Sequence, residues 1–315
     1  GTLWGMGRNT YGQLGLGDID IVDKLTQIGT ENDWKYVSCG EEHTVIIKND
    51  GTLWGMGRNT YGQLGLGDFN NRKTVTRIGG YNDWVHVSCY KHTIAIRKNG
   101  TMWGCGYNLY CQLGLNNTTN MNKLVRIGSD SDWKYVSCAD SRTLAIKNDN
   151  SIFGCGSNHE GLLGIHPVED GELVRILTKI GNDNDWKYAV MGYSGHIIAL
   201  KNDNSLWSWG RNENGQLGLG YYGISPGIPT KIGNSNDWDF ISCQGYGHTI
   251  ASKTDKTLWS WGFNSFGQLG QNNNNNINTP TKIDIPINYI GFCAGLQYSI
   301  LVDENYNLWG CGDNQ

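Results

Sequence analysis

The first eighteen residues, GTLWGMGRNTYGQLGLGD, occur again without a change at residues 51–68. The aromatic residue that follows the leucine of this string recurs at steps of 49 to 54 residues, at Trp4, Trp54, Trp103, Phe153, Trp207, Trp259 and Trp309. A second series, preceded by aspartate, gives Trp34, Trp84, Trp133, Trp186 and Trp238. A repeat of about fifty residues is typical of solenoids and propellers, in which each unit buries its apolar face against the next.

Each unit predicts four short strands, which we call A to D. In one unit these are WKYVSC (34–39), HTVIIK (43–48), TLWGMG (52–57) and TVTRIG (74–79). Turn residues such as NDG and NG separate B from C, and no segment keeps a helical period. Strand B is apolar on both faces, so it must be covered on both sides. Stacked blades provide that cover, and we expect the LWG tryptophans to pack between neighbouring sheets.

The string WGxNxxGQLGLG, followed by VSCGxxHTxAIK and a new GTLW, resembles the regulator of chromosome condensation repeat. Copies of its central part lie at 57–67, 106–115, 156–165, 210–220 and 262–270. The resemblance implies an all-β fold, a β-propeller of four-stranded blades, usually seven in number.

The order of the strands bounds the domain. We expect one propeller over residues 1–315, with strands C and D at 1–28, five full blades over about 34–282, and strands A, B and C at 288–312. This gives 25 strands, where seven blades need 28 and six need 24. Seven blades with incomplete ends are favoured, and six are the alternative. The missing strands would need about 35–40 further residues, so we expect the chain to be part of a longer protein.

Charge and hydropathy limit the partners. The formal net charge is −4 and no run of Lys or Arg is present, so we expect no nucleic-acid partner. No stretch approaches eighteen consecutive apolar residues, so we expect a soluble chain without membrane insertion. No targeting segment is visible, and the sequence does not define a compartment.

The repeated residues predict structure rather than catalysis. His43, His92, His196 and His248 belong to different units, so a shared metal is not expected and each should bond its own A–B turn. The GQLGLG strings lack the GK[ST] ending of a phosphate loop. We expect no catalytic residue, cofactor or metal, and no disulfide among Cys39, Cys89, Cys138 and Cys243, which end A strands of different units.

The positions that differ between units are the candidates for a specific function, because the repeated positions are needed for the fold. Because strands alternate in direction, the A–B turns and C–D loops share one face, and their sequences differ between units. We call this the loop face. The predicted partner-binding residues are Glu41, Glu42, Tyr90, Lys91, Asp140, Arg142, Tyr193, Tyr221, Tyr222 and Tyr246. Tyrosine and arginine among adaptable polar residues are typical anchors for a protein surface.

These features predict a non-enzymatic scaffold that binds a protein through the loop face. Two alternatives stay open: a regulator of a small GTPase, as in the namesake of the family, and a carbohydrate-binding propeller, for which a glycan is the partner. The family's exchange factor uses a long loop wedge. The unit lengths of 49 to 54 residues leave no room for such a wedge between Trp4 and Trp309.

Overall fold

The computed structural model describes residues 1–166, 173–223, 227–243, 245–285 and 287–314. These residues form 25 β-strands and one single-turn 3-10 helix, His159–Gly161. No helix among them is long and apolar enough to cross a membrane. The chain divides into two compact units.

The first unit comprises Gly1–Asn148, Phe153–Ser157 and Leu173–Thr178. Its strands form a two-stranded sheet (β1–β2) and three four-stranded sheets (β3–β6, β7–β10 and β11–β14). They are β1 (Trp4–Arg8), β2 (Ile21–Gln27), β3 (Trp34–Cys39), β4 (His43–Lys48), β5 (Leu53–Gly57), β6 (Arg72–Ile78), β7 (Trp84–Cys89), β8 (His92–Arg97), β9 (Met102–Gly106), β10 (Met121–Arg126), β11 (Trp133–Ala139), β12 (Arg142–Lys147), β13 (Ile152–Ser157) and β14 (Leu173–Lys179).

The second unit comprises Asp149–Ile152, Asn158–Glu172 and Lys179–Gln315. Its strands form two four-stranded sheets (β15–β18 and β19–β22) and a three-stranded sheet (β23–β25). They are β15 (Trp186–Met191), β16 (His196–Lys201), β17 (Leu206–Gly210), β18 (Thr230–Lys231), β19 (Trp238–Ser242), β20 (His248–Lys253), β21 (Leu258–Gly262), β22 (Ile277–Ile283), β23 (Tyr289–Ala294), β24 (Tyr298–Asp303) and β25 (Leu308–Gly312).

The fold is an all-β propeller with four-stranded blades, as the repeat predicts. Each complete sheet runs A, B, C, D with antiparallel neighbours, and A and B of the first complete blade begin and end where the sequence places them. Five complete blades and the three-stranded sheet give six blades in the described residues, with β1 and β2 as a separate pair. Six is therefore the count that the structure supports, rather than the seven that was favoured. The single-domain boundary at 1–315 stays a prediction.

A buried or partly buried cation closes one end of every complete blade. The last residue of B lies opposite the tryptophan that opens A, in the pairs Trp34–Lys48, Trp84–Arg97, Trp133–Lys147, Trp186–Lys201 and Trp238–Lys253. Lys201 Nζ lies 4.7 Å from the ring centre of Trp186 and 4.3 Å from that of Trp207. It also pairs with the carboxylates of Asp183 at 2.6 Å and Asp185 at 3.1 Å. The ammonium is therefore balanced by two rings and two carboxylates, which makes its burial tolerable.

The two tryptophan series have different environments. Trp103 and Trp259 of the LWG series pack, as expected, against clusters that contain residues of two neighbouring sheets, but they are only partly buried. The tryptophans that open A strands are 1% to 8% exposed, and Trp209 and Trp261 are fully buried. The LWG tryptophan of β5, Trp54, is only half-buried, and Trp4 and Trp309 are each 49% exposed. The indole N–H of Trp54 donates to Thr52 Oγ1 at 2.8 Å. This residue therefore covers the B-strand lysine Lys48 and packs, partly buried, against the core cluster that contains Leu3 and Ile28.

A buried asparagine organises each C–D loop. Asn59 Oδ1 accepts a hydrogen bond from Leu64 N at 2.9 Å, and its Nδ2 donates to Asp68 O at 3.0 Å. The same five-residue bond recurs at Asn9, Asn108, Asn158, Asn212 and Asn264. Gly62 lies in the left-handed region at φ +80°, and a Cβ there would come within 2.4 Å of Asn122 Cα. The repeated Asn and Gly therefore fix the loop backbone.

The B-strand histidines join one blade to the next. His43 Nε2 lies 2.9 Å from Thr93 Oγ1, and His92 Nε2 lies 2.8 Å from Thr143 Oγ1. Thr93 Oγ1 in turn donates to Gln63 O at 2.7 Å. The hydroxyl hydrogen is used in that bond, so the histidine donates from Nε2, and burial keeps the ring neutral.

The link recurs in three blades but not in the fourth. His248 Nε2 and Ser299 Oγ are 3.1 Å apart, and Ser299 Oγ donates to Gln268 O at 2.6 Å. His196 instead contacts Ser194 Oγ through Nδ1 at 3.3 Å. The prediction that each histidine bonds its own A–B turn therefore describes His196, whereas the other three reach the next blade. Burial lowers the pKa of His43, His92 and His196 to about 3.

Six of the nine cysteines pack in the interior as small apolar groups. All nine, every one in a described residue, are free thiols, and Cys89, Cys138 and Cys243 are buried whereas Cys39 is exposed. Burial raises the pKa of Cys89 to about 12. A thiol with so high a pKa is almost never a thiolate at neutral pH and is chemically inert.

We predict that acid destabilises the protein through these histidines. An unfolded histidine has a pKa near 6.5 and the buried ones have values of about 3, so the unfolded state binds more protons between these limits. Stability is complete above about pH 6.5 and falls as the pH drops, by up to roughly 1.4 kcal/mol per pH unit for each such histidine. Urea unfolding of His92→Gln between pH 6 and pH 5 should show a shallower slope than the parent chain. A matched change at the exposed His159, to Gln, should leave the slope as it was; an unchanged slope in His92→Gln contradicts the account.

We predict that the B-strand lysine is a stability determinant. Replacing Lys201 by Met keeps the aliphatic stem but removes the charge from two rings and two carboxylates, and should lower the free energy of unfolding by about 2 kcal/mol. The exposed Lys187, changed to Met in the same unit, should alter it by less than about 0.5 kcal/mol. Chemical unfolding of both variants gives the comparison, and equal effects would rule out a special role for Lys201.

Candidate functional site

Backbone bonds bring the A–B turns beside the first residues of the C–D loops. Arg58 N donates to Glu42 O at 2.8 Å, Tyr107 N to Lys91 O at 3.1 Å, and Phe263 N to Gly247 O at 2.8 Å. The donors Arg58, Tyr107 and Phe263 each follow the glycine that ends a C strand. The side chains of both kinds of turn therefore meet on the loop face.

Neighbouring A–B turns are also bonded to one another. Glu41 N donates to Tyr90 O at 3.1 Å in the first unit. In the second unit, Tyr193 N donates to Gly245 O at 3.1 Å and Tyr246 N to Leu296 O at 2.8 Å. The turns are thus held from blade to blade by main-chain bonds, which presents their side chains from a fixed backbone.

In the first unit the A–B turns carry charges. Lys91 Nζ lies 3.6 Å from a carboxylate oxygen of Glu41 and 3.5 Å from one of Asp140, so one ammonium spans the turns of three successive blades. It also lies 5.7 Å from the ring centre of Tyr90. Glu42 forms an ion pair with Arg58 of the adjoining C–D loop. Asp140 has φ +22°, which few residues other than glycine adopt.

In the second unit the A–B turns are aromatic. The rings of Tyr193 and Tyr246 are 4.9 Å apart and tilted by 31°. Tyr246 is 47% exposed, and the neighbouring turn residue Leu296 is 49% exposed. These two turns therefore present a paired tyrosine surface with an apolar neighbour.

Tyr221 and Tyr222 lie in the C–D loop of the blade that contains β15 to β18. They are 42% and 50% exposed. The main chain of Tyr221 accepts a bond from Asn212 Nδ2 at 2.9 Å, and the hydroxyl of Tyr222 donates to Asn276 O of the next blade at 3.1 Å. Both rings are accessible on a supported loop.

Arg142 is a correction to the sequence interpretation. It is only 6% exposed, and its Nε donates to the buried carbonyl of Ser157 at 2.7 Å. It occupies the position that His43 and His92 hold in other blades, at the start of strand B. Its guanidinium is therefore part of the interior and is not available as a surface anchor.

Sequence reasoning missed a set of tyrosines inside the repeated string. Arg58 lies 5.2 Å from the ring centres of both Tyr11 and Tyr61. The rings of Tyr61 and Tyr107 are 4.9 Å apart, and those of Tyr107 and Tyr110 are 6.2 Å apart. We call Tyr11, Arg58, Tyr61, Tyr107 and Tyr110 the tyrosine stripe; it crosses three successive C–D loops of the first unit.

A signal for the stripe was present in the sequence. The residue two places after the buried asparagine is Tyr11, Tyr61, Tyr110, Glu160, Asn214 and Phe266 in successive repeats. The main-chain N–H at this position donates to the glutamine side chain of GQLG, as Tyr61 N does to Gln63 Oε1 at 2.9 Å. Because this bond uses only the main chain, the side chain at this position can differ between repeats. This variable position lies inside a repeated string whose other residues have structural roles.

Burial and neighbouring charges set the electrostatics of the face. Burial raises the pKa of Tyr107, with smaller contributions from Tyr110, Tyr61 and Asp140. Among the described residues, no group of three or more His, Cys, Asp or Glu side chains is arranged to hold a metal ion. What the face offers is aromatic and charged contact area.

Fold and turns together define a β-propeller that presents varied loops on one face of a repeated frame. The profile of the Regulator of chromosome condensation (RCC1) repeat matches residues 1–47, 50–96, 203–252 and 255–302, and a second profile of the same repeat matches 34–63 and 239–268. These matches cover more than half of the chain. The chain belongs to the RCC1 repeat family.

Individual relatives share part of the chain. The Ultraviolet-B receptor UVR8 of Arabidopsis thaliana is 32% identical over 177 residues, 55% of this chain and 40% of that protein. The probable E3 ubiquitin-protein ligase HERC6 of Homo sapiens is 32% identical over 136 residues, 42% of this chain and 13% of that protein. The matches span less than half of either relative.

A solved structure shares the fold over nearly the whole chain. Prp20p of Saccharomyces cerevisiae superposes with a TM-score of 0.86 and 20% identity, covering 98% of this chain and 80% of that one. At this identity the likeness establishes the fold alone.

Proposed function

We propose that this chain is a non-enzymatic propeller that binds a partner protein through the loop face. The observation that carries the proposal is the Tyr193–Tyr246 pair, two rings 4.9 Å apart on turns that are bonded to each other through the main chain. Tyrosine provides a large contact area at a low cost in conformational entropy. Turns held from blade to blade reduce the ordering cost of binding further.

The chemistry of the face favours a protein over a small molecule. The varied residues are spread over A–B turns and C–D loops of several blades, as exposed rings and paired charges. Protein interfaces combine aromatic anchors with a polar surround in this way. The solved structure of Prp20p is described together with its binding to Gsp1p and histones, which supports protein binding for a propeller of this fold.

The test is partner capture from the native source with matched variants. Changing Tyr193 and Tyr246 together to Ala should reduce the affinity for captured partners by roughly a hundredfold or more. The thermal unfolding temperature should stay almost unchanged, because Tyr193, which is half-buried, and Tyr246, which is exposed, lie in turns and contribute little to the core. The control is Tyr306→Ala in the same unit, a tyrosine that is 80% exposed in the turn between B and C.

The outcomes separate the candidate functions. Proteins that the parent and Tyr306→Ala retain but the double variant loses support the proposal. Equal retention by all three chains contradicts it. A captured small GTPase whose nucleotide release the chain accelerates would move the function to the exchange-factor alternative. Selective binding on a glycan array, lost in the double variant, would move it to carbohydrate recognition.

A further inference from the structure

We infer that the tyrosine stripe and the carboxylates beside it receive a basic segment of the partner, with arginine or lysine side chains over Tyr107 and Tyr110. This deepens the proposed function and rests on it. It assigns a subsite in the first unit, separate from the Tyr193–Tyr246 pair.

The two ends of the stripe differ in their cation contacts. Tyr11 and Tyr61 already have the guanidinium of Arg58 over their rings at 5.2 Å, and Arg8 lies 5.9 Å from Tyr11. Tyr107 and Tyr110 have no cation over their rings in the part of the chain that the structure describes. Tyr110 is 45% exposed, so its ring is open to a group from outside.

Negative charge lies next to the half-buried Tyr107, whose ring neighbours that of Tyr110. Glu41 and Asp140 share the single ammonium of Lys91, at 3.6 and 3.5 Å, so the three groups keep a net charge of −1. Burial is the main cause of the raised pKa of Tyr107, and both Lys91, which lowers this pKa, and Asp140, which raises it, are close enough to contribute. A main-chain hydrogen bond joins the tyrosine stripe to the charged A–B turn, because Tyr107 N donates to Lys91 O at 3.1 Å.

This combination selects the charge of the occupant. A guanidinium or ammonium gains both the electron-rich ring face and the carboxylates. An acidic segment or a nucleic-acid phosphate would be repelled by Glu41 and Asp140. A purely apolar segment would cover these carboxylates without compensating their lost hydration. Complementary charge at such a subsite mainly sets partner choice and association rate.

The experiment uses two fluorescein-labelled twelve-residue peptides, alternating arginine with glycine or citrulline with glycine. Citrulline keeps the planar shape of arginine without its charge. Fluorescence anisotropy with the full chain should show the arginine peptide binding about tenfold or more tighter than the citrulline peptide, and weaker binding as salt rises.

Three variants locate the site. Glu41→Gln combined with Asp140→Asn should weaken binding of the arginine peptide by about tenfold, and Tyr110→Leu by several-fold, since leucine keeps the apolar area but loses the ring face. The control is Glu31→Gln in the same unit. Like Glu41, Glu31 is a carboxylate paired with a lysine, Lys48, but it lies in a D–A turn. This variant should bind as the parent does.

Three results would overturn the inference: equal binding of the two peptides, an equal loss in Glu31→Gln, or no binding of the arginine peptide. Each of them leaves the proposed function standing if partner capture still depends on Tyr193 and Tyr246. If that capture fails as well, the protein-binding function falls with the subsite.

Discussion

The hydrogen bond from a buried histidine to a hydroxyl in the next blade is the contact on which this frame depends. It links three parts that are far apart in the chain, as in His92, Thr143 and the carbonyl of Gln112. The histidine and glutamine belong to one blade and the threonine to its neighbour, so the geometry of each C–D loop is coupled to the packing between blades. Burial in this position keeps the imidazole ring neutral and lowers the pKa of His92 to about 3.

A frame fixed in this way leaves the turn apices free to change. The buried asparagine and glutamine bond main-chain groups of the C–D loop, so side chains such as those of Tyr61 and Tyr110 can differ without loss of the loop. The A–B turns are bonded to each other through the main chain, so Glu41, Tyr193 and Tyr246 can differ as well. Repetition of the buried positions and variety at the apices therefore have one physical cause, and the varied chemistry makes a binding function the natural one to propose.

The repeat made much of the fold predictable, because period, turn residues and apolar runs all act locally. Strands A and B of the first complete blade and the total of 25 strands follow from the sequence. Contacts between blades were harder to predict from the sequence. His43 bonds Thr93, fifty residues away, and no local pattern specifies that partner. Arg142 was assigned to the surface with the other residues of the A–B turns, yet it replaces a buried histidine and bonds the carbonyl of Ser157. Tyr107 and Tyr110 were overlooked because they lie within a string whose other residues are structural.

The tautomer and charge of the linking histidines test the account most directly. Long-range nitrogen–proton correlation NMR of the histidine-labelled chain distinguishes a neutral ring protonated at Nε2 from one protonated at Nδ1 and from a charged ring. The account predicts that His43, His92 and His248 are neutral and protonated at Nε2, and stay so from pH 7 to pH 5 in the folded chain. Titration of these three rings near pH 6.5, or protonation at Nδ1, would contradict it.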